Sequence, residues 1–410
     1  MRRVFASVVL ICTFVLAAGG IGAGAPSVPP RVGEQFVETE VLVKLRGTAD
    51  LESVARSVGA RVEDQIPELD VFVLSVPAGS VRGTVLALTN NFLVEYAEPN
   101  FIARIQRNPN DPYDDTICYN SDSAGCVKQW AWQVVKAYDA WNVTTGGQIK
   151  IAVVDTGIAK SHEDLPAVLA QKNFVNSKRK KNADDNNGHG THVAGTIGAL
   201  TNNGKGGAGA NWSVRLMAAK VLDANGSGSY AAVAKGIIWA ADNGAKVIDL
   251  SLGGSSASST LENAVNYAWN RGAVLACAAG NSGTTAKSYP GAYTNCIAVA
   301  ATTQTDARAS FSTYDAAWVD VAAPGVTILS TIPATSGWSW WAEADAYDAW
   351  SGTSMATPHV AGLAGLIWAS GRCSTAQCVR DRIERRADAI TGTGTQWKWG
   401  RVNYFKSVSP

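Results

Sequence analysis

An aspartate, a histidine and a serine stand in three glycine-containing segments: Val153-Val154-Asp155-Thr156-Gly157, Gly188-His189-Gly190-Thr191-His192 and Gly352-Thr353-Ser354-Met355-Ala356. Together they supply a carboxylate, an imidazole and a hydroxyl. A serine hydroxyl is a weak nucleophile until a neighbouring imidazole takes its proton. The imidazole in turn needs a carboxylate to hold its tautomer and stabilise its cation. A fourth group, the amide of Asn281, closes the apolar run Ala273–Gly280. With the Ser354 backbone N–H it offers two donors to an oxyanion developing in acyl transfer. Taken singly, each residue is more often structural than catalytic; their conjunction points to nucleophilic chemistry. His189 and His192 have the spacing of a metal pair, but no third ligand cluster accompanies them, and zinc sites use more. His192 and His359 are expected to be packed, hydrogen-bonded histidines, and His162 a surface-loop residue.

The elements that must position these groups are legible nearby. Ile149-Lys150-Ile151-Ala152-Val153-Val154 suits a buried parallel strand. It sets Asp155 at the carboxyl edge of a sheet, where open α/β folds carry their sites. His189 precedes a helix start over Thr191–Thr196, and Ser354 precedes the small apolar stretch Ala356–Ala369. Pro358 falls early enough for a first turn. A nucleophile at a helix N-terminus gains from the dipole and from free N–H groups. Residues 26–106 differ in character. Val41–Leu45, Val71–Val76 and Phe92–Tyr96 read as strands, with helical stretches at Asp50–Val58 and Ser80–Leu88 between them and Pro99 beyond the last. That order predicts a small α+β, ferredoxin-like domain.

Composition fits an exported chain. Arg2 and Arg3 precede an apolar run, Val4–Ala18, and Ala23-Gly24-Ala25 offers a cleavage site, so residues 1–25 read as a signal peptide. The run is short for a stable membrane anchor, which needs about 20 residues. A net charge of +1 over 410 residues gives no reason to expect nucleic acid as a partner. Cys12 leaves with the signal; the other six of the seven cysteines are an even number in an oxidising compartment. Proximity favours Cys118–Cys126 and Cys373–Cys378.

The order Asp…His…Ser is that of subtilisin, not of chymotrypsin or the α/β-hydrolases. Ala356 also stands where the hydrolase elbow has its second glycine. From about Asn108 to Val408 the chain resembles the thermitase branch of the subtilases. The resemblance rests on Asn110-Asp111-Pro112-Tyr113, Lys220-Val221-Leu222-Asp223, Ser251-Leu252-Gly253-Gly254, Ser310-Phe311-Ser312, Val321–Gly325 and Ser351–Gly362. It implies an α/β catalytic domain over 107–410, a parallel sheet with helices on both faces. Residues 26–106 then match a propeptide acting as inhibitor and folding aid, released between Arg104 and Asn108. The implied enzyme is a monomeric secreted endopeptidase acting on proteins and peptides; the alternative is a polypeptide-binding protein on the same scaffold that does not cut.

The resemblance also assigns subsites. Substrate would lie as an extended strand between Asn225-Gly226-Ser227-Gly228-Ser229 and Ser251-Leu252-Gly253. The S1 pocket would be walled by Ser251–Gly253 and by Ala278, Ala279 and Gly280, with Ser288 at its base. Uncharged walls favour a large apolar P1 residue, although Lys287 adjoins the base. One strong calcium site would use Asp111, Asp164 and Asn203 with the carbonyls of Leu200, Lys205 and Gly207, all hard oxygen donors. Where the branch has an aspartate-rich second site, this chain has Asn173 followed by Lys178–Lys181, whose ammonium groups cannot ligate a cation. Cys277 and Cys296 would pair across adjacent strands. Finally, between Ser330-Thr331-Ile332-Pro333 and Ser351 the chain carries roughly ten residues more than the branch pattern needs, in the stretch Trp338–Trp350. It lacks helix or strand periodicity and feeds into the serine segment, so it is either an aromatic wall on the prime side or a loop packed on its own tryptophans.

Overall fold

The structure, a computed structural model, describes residues 36–101, 109, 111, 128–175, 182–334 and 346–410. The signal peptide, the processing segment Arg104–Asn108, the Cys118–Cys126 pair, Lys178–Lys181 and Trp338–Asp345 lie outside the described residues. Two compact units divide the chain at 104/105.

The first unit runs β1 (Phe36–Leu45), α1 (Leu51–Ser57), β2 (Arg61–Ile66), β3 (Val71–Ser75), α2 (Val81–Thr89) and β4 (Val94–Phe101). Its antiparallel sheet has the order β2-β3-β1-β4, a ferredoxin-like arrangement. Val41, Val43, Leu74, Val85 and Leu88 form its core. Sequence reading missed β2, for a physical reason. Five of its six residues are exposed, so an edge strand with two wet faces shows no alternation to detect. The last strand also runs past its expected end. Pro99 lies within β4, which is tolerable because β4 is an edge strand.

The second unit begins with α3 (Ala131–Val134), α4 (Ala137–Trp141), β5 (Lys150–Asp155), β6 (Ala170–Asn173), α5 (His189–Gly198), β7 (Arg215–Lys220) and α6 (Tyr230–Asp242). It continues with β8 (Val247–Leu250), α7 (Ser259–Asn270), β9 (Val274–Ala278), β10 (Cys296–Thr302), β11 (Val321–Pro324), β12 (Ile328–Thr331) and β13 (Tyr347–Trp350). The closing elements are α8 (Thr353–Ala369), α9 (Ala376–Arg385), β14 (Gly400–Arg401) and α10 (Tyr404–Val408). Eight strands form a parallel sheet in the order β14-β11-β10-β9-β8-β5-β7-β6.

Both faces of that sheet are covered, as its apolar strands demand. Ile151 and Val153 pack with Val193 and Ile197 of α5 and Val360 and Leu363 of α8. Ala152 and Val154 pack on the opposite side with Ile237 of α6 and Val265 of α7. Helix α8 is buried almost throughout, and its glycines permit this. A Cβ on Gly362 would lie only 2.3 Å from that of Ala210. Pro358 sits in the second turn of α8, not the first. It therefore removes one interior N–H, which would otherwise have met the Ser354 carbonyl.

β12 and β13 form a separate antiparallel pair, Ile328 opposite Trp350. Part of the tryptophan-rich stretch is thus a strand, which no periodicity had fixed; four residues are too few for it to register. Cys277–Cys296 bridges β9 and β10, with Cα atoms 5.8 Å apart, and Cys373–Cys378 closes a short loop at 5.5 Å. Among the described residues no helix is long and apolar enough to cross a membrane.

Candidate active site

The strand order reverses around β5, with β7 on one side and β8 on the other, so the carboxyl end of β5 opens onto a crevice. Asp155 is buried at that end. Its carboxylate faces Nδ1 of His189 at 2.8 and 2.9 Å and also accepts the Thr156 N–H. Nδ1 is thereby the protonated nitrogen, which leaves the Nε2 lone pair available as a base. His189 is the first residue of α5, and its side chain is 24% exposed. Burial alone would lower its pKa. Asp155 overcomes that, helped by Asp185 and Asp249, and the net shift is upward.

Sequence reading missed Asp185. One oxygen accepts Thr156 Oγ1 at 2.9 Å and the N–H groups of Asn187 and Gly188 at 3.0 Å each. The other accepts the Thr191 N–H at 2.9 Å and its hydroxyl at 2.6 Å. Five donors on one buried carboxylate join the turn after β5 to the first turn of α5. The available signal was an aspartate three residues before a glycine at a helix entry, a capping pattern. Gly190 completes the join, because a Cβ there would lie 2.2 Å from the Gly157 carbonyl.

Ser354 occupies the second position of α8, half-buried. Its hydroxyl donates to the Ser251 carbonyl at 3.0 Å and makes no hydrogen bond to His189, although both side chains line one cleft. The relay is therefore assembled as far as the His–Asp pair, with the resting serine hydroxyl turned to the Ser251 carbonyl. Such contacts often tighten only around bound substrate. Asn281 Oδ1 accepts both the N–H and the hydroxyl of Thr353, at 2.8 and 2.9 Å. Those two donors fix the amide orientation, so its NH₂ points away from Thr353, beside Gly352.

The cleft has a volume of about 540 Å³ and runs between Asn225–Gly228 and Ser251–Gly253, with His189 and Ser354 on its wall. Ser288 lies between the two glycine walls: a Cβ on Gly253 would meet its hydroxyl, and one on Gly280 its Cβ. Lys287 is exposed. Leu222, Tyr230 and Val233 also line the cleft and were not anticipated.

Comparison with known proteins decides the family. The subtilase family model matches residues 146–400. The chain belongs to the subtilase family. The Fervidolysin N-terminal prodomain model matches residues 24–100. A thermophilic serine proteinase of Bacillus sp. (strain AK1) is 43% identical over 380 residues, covering 91% of this chain and 88% of its own. Thermitase of Thermoactinomyces vulgaris is 48% identical over 301 residues, 73% of this chain and 99% of its own. Among solved structures, a protease of Pseudoalteromonas arctica PAMC 21717 superimposes with TM-score 0.64 at 30% identity, covering 74% of this chain and 99% of its own. This subtilase is accordingly a subtilisin-like serine endopeptidase.

Two further features of the subtilase adjoin the histidine helix. Trp350 stacks on His192, with ring centroids 4.8 Å apart, and lies 6.5 Å from the ring of His189. His192 Nε2 faces the carbonyls of Ile328 and Asp348, and burial pushes its pKa down to about 3. His359 is likewise buried, with Nδ1 on the Met355 carbonyl and a pKa pushed down by burial to about 4. Both are neutral packing groups, as their sequence setting suggested. His162 is not on the surface: it is buried, between the Ala346 carbonyl and the Asp164 N–H.

The 200–207 loop beyond α5 receives two buried carboxylates. Asp111 accepts the N–H groups of Asn202 and Asn203, and Asp164 accepts Asn203 Nδ2 at 2.8 Å and the Gly207 N–H at 3.2 Å. Leu200 N–H bonds to the Asp164 carbonyl, and Lys205 N–H to Asn203 Oδ1. Burial pushes Asp164 up to about 7, with Asp111 adding like-charge repulsion. The Lys205 ammonium is turned to Glu163 and does not sit between them. Among the described residues no three His, Cys, Asp or Glu side chains converge as a metal site. The two carboxylates are hard oxygen donors of the kind a calcium ion takes, while the Asn203 amide turns its Nδ2 to Asp164 and its Oδ1 to the Lys205 N–H. Asn173 pairs with Val175 N–H and the Asn182 carbonyl, in keeping with a structural role.

Proposed function

We propose that this subtilase cleaves peptide bonds through an acyl-enzyme on Ser354. His189 Nε2 takes the hydroxyl proton as Oγ attacks the scissile carbonyl. Asp155 orients the ring and stabilises its cation. Asn281 Nδ2 and the Ser354 N–H receive the oxyanion, and His189 then gives its proton to the departing amine. Water repeats the cycle and frees the acid. The observation that carries this reading is the His189–Asp155 pair at 2.8 Å on the same cleft wall as Ser354.

The rest of the reading follows the resemblance. Ser251–Gly253, Ala278–Gly280 and Ser288 enclose an uncharged S1 pocket suited to large apolar P1 residues. Residues 26–106 act as an inhibitory propeptide, with 107–410 as the mature enzyme, and residues 1–25 direct export. Calcium braces the loop around Asp111, Asp164 and Asn203 by neutralising two buried carboxylates. A serine-reactive phosphonate tests the central step. The expected result is one label per chain, on Ser354, with loss of peptidase activity. Absence of labelling with retained peptide binding would instead make the cleft a polypeptide-binding groove.

A further inference from the structure

One buried carboxyl beside the relay has no part in that mechanism. Asp249 lies on β8, paired with Val153 of β5, so its side chain leaves the sheet on the same face as that of Asp155. It is fully buried, and its Oδ2 accepts the Ser251 N–H at 3.2 Å. Its Oδ1 has no hydrogen-bond partner among the described residues. The same Ser251 supplies the carbonyl that receives the Ser354 hydroxyl. Packing alone does not call for an acid here, because a half-satisfied buried polar group costs more than an apolar one.

We propose that Asp249 is a positioning residue for the Ser354–His189 relay, holding the Ser251 main chain behind the nucleophile and, once ionised, placing a second anion near His189. The proposal rests on Ser354 being the nucleophile. Burial pushes Asp249 up to about 8; hydrogen bonding to Ser251 and the charge of His189 oppose this, and Asp155 adds to it. Asp249 is in turn one of the charges that raise His189. The titratable groups whose charges act on it are Asp155 on β5 and His189 on α5, and helix α8, which packs on β8, carries only the neutral His359. β9 brings only Ala276 and the disulfide-bonded Cys277 beside it. Helix α6, on the other face, carries Lys235 and Asp242 at exposed positions.

The charge of each group thus shifts the other, so Asp249 and His189 titrate as a linked pair. The test is the pH profile of kcat/KM from pH 5 to 9.5, with enzyme concentration set by phosphonate titration of Ser354. Wild type is expected to titrate in two steps, and Asp249→Asn in one step shifted to lower pH by loss of the second anion, while keeping the Ser251 contact. Asp249→Ala, which loses contact and charge together, is expected to lower kcat by about tenfold at every pH relative to Asp249→Asn, with little change in KM. Superimposable wild-type and Asn profiles would overturn the electrostatic role, and equal kcat in the Asn and Ala variants the holding role. If neither variant folds, a wild-type profile with the histidine limb alone overturns the proposal. Failure of Ser354 to label would remove the underlying reading instead, so the two failures are distinct.

Discussion

The chemistry turns on how two residues share one proton. His189 must be neutral to accept the Ser354 proton, and Asp155 holds its pKa above the ordinary 6.5. The acid limb of kcat/KM is therefore expected to have its midpoint above 6.5, with activity rising as pH increases through it. Asp155→Asn removes the charge and spoils the tautomer, so turnover should fall by about 10⁴, the loss seen for the same change in another Ser-His-Asp protease. A pH-rate profile of both proteins checks this, and an unshifted limb in the variant would contradict the pairing. Asn281→Ala should cost about 10²–10³ in kcat with little effect on KM, a magnitude taken from a subtilisin. Asp155, His189, Ser354 and Asn281 were legible because each ends or opens a strongly patterned segment. Asp185 was not, because in the polar run Asp184-Asp185-Asn186-Asn187 its capping pattern looks like an ordinary turn, nor was Asp249, because one acid inside an apolar strand has no pattern of its own. Its role depends on which segments fold over it.

At the level of elements, legibility followed burial. β5 and β9, apolar along their length, stand out from the residues alone; β2, wet on nearly every residue, and β13, four residues long, do not. His162 was misread because its burial depends on Ala346, 184 positions away. The β9–β10 bridge closes a separation of 19 residues. Replacing Cys277 and Cys296 together by alanine is expected to lower unfolding free energy by about 3 kcal/mol, read from guanidinium unfolding midpoints. An unchanged midpoint would mean that strand packing alone holds these edges. The 200–207 loop supports a second prediction. Chelator should lower the thermal midpoint, and Asp164→Asn should lower it and abolish the chelator response. Identical melting with and without chelator would remove the cation from the loop.

For the molecule as a whole, the proposed propeptide reading of the first unit makes self-release a testable step. Ser354→Ala, produced without other proteases, should accumulate at full length, while wild type yields a shorter chain beginning near residue 107. Mass spectrometry distinguishes them, and a mature N-terminus on the alanine variant would show that another enzyme does the cutting. The fold of the first unit was readable from segment order, since alternating strands and helices leave few ways to cover a sheet, whereas that of the second came from the resemblance carried by its motifs. How the cleft is finished was less so, because Leu222, Tyr230 and Val233 reach it from three separate positions between β7 and the body of α6. Next to that cleft, β12 and β13 anchor both flanks of the tryptophan-rich stretch, and the stack of Trp350 on His192 ties one flank to the histidine helix. The flanking pair thus acts as a clasp beside the histidine helix. Trp350 belongs to both halves of it, so trimming that one ring to alanine would loosen the strand pair and the packing behind the catalytic imidazole together.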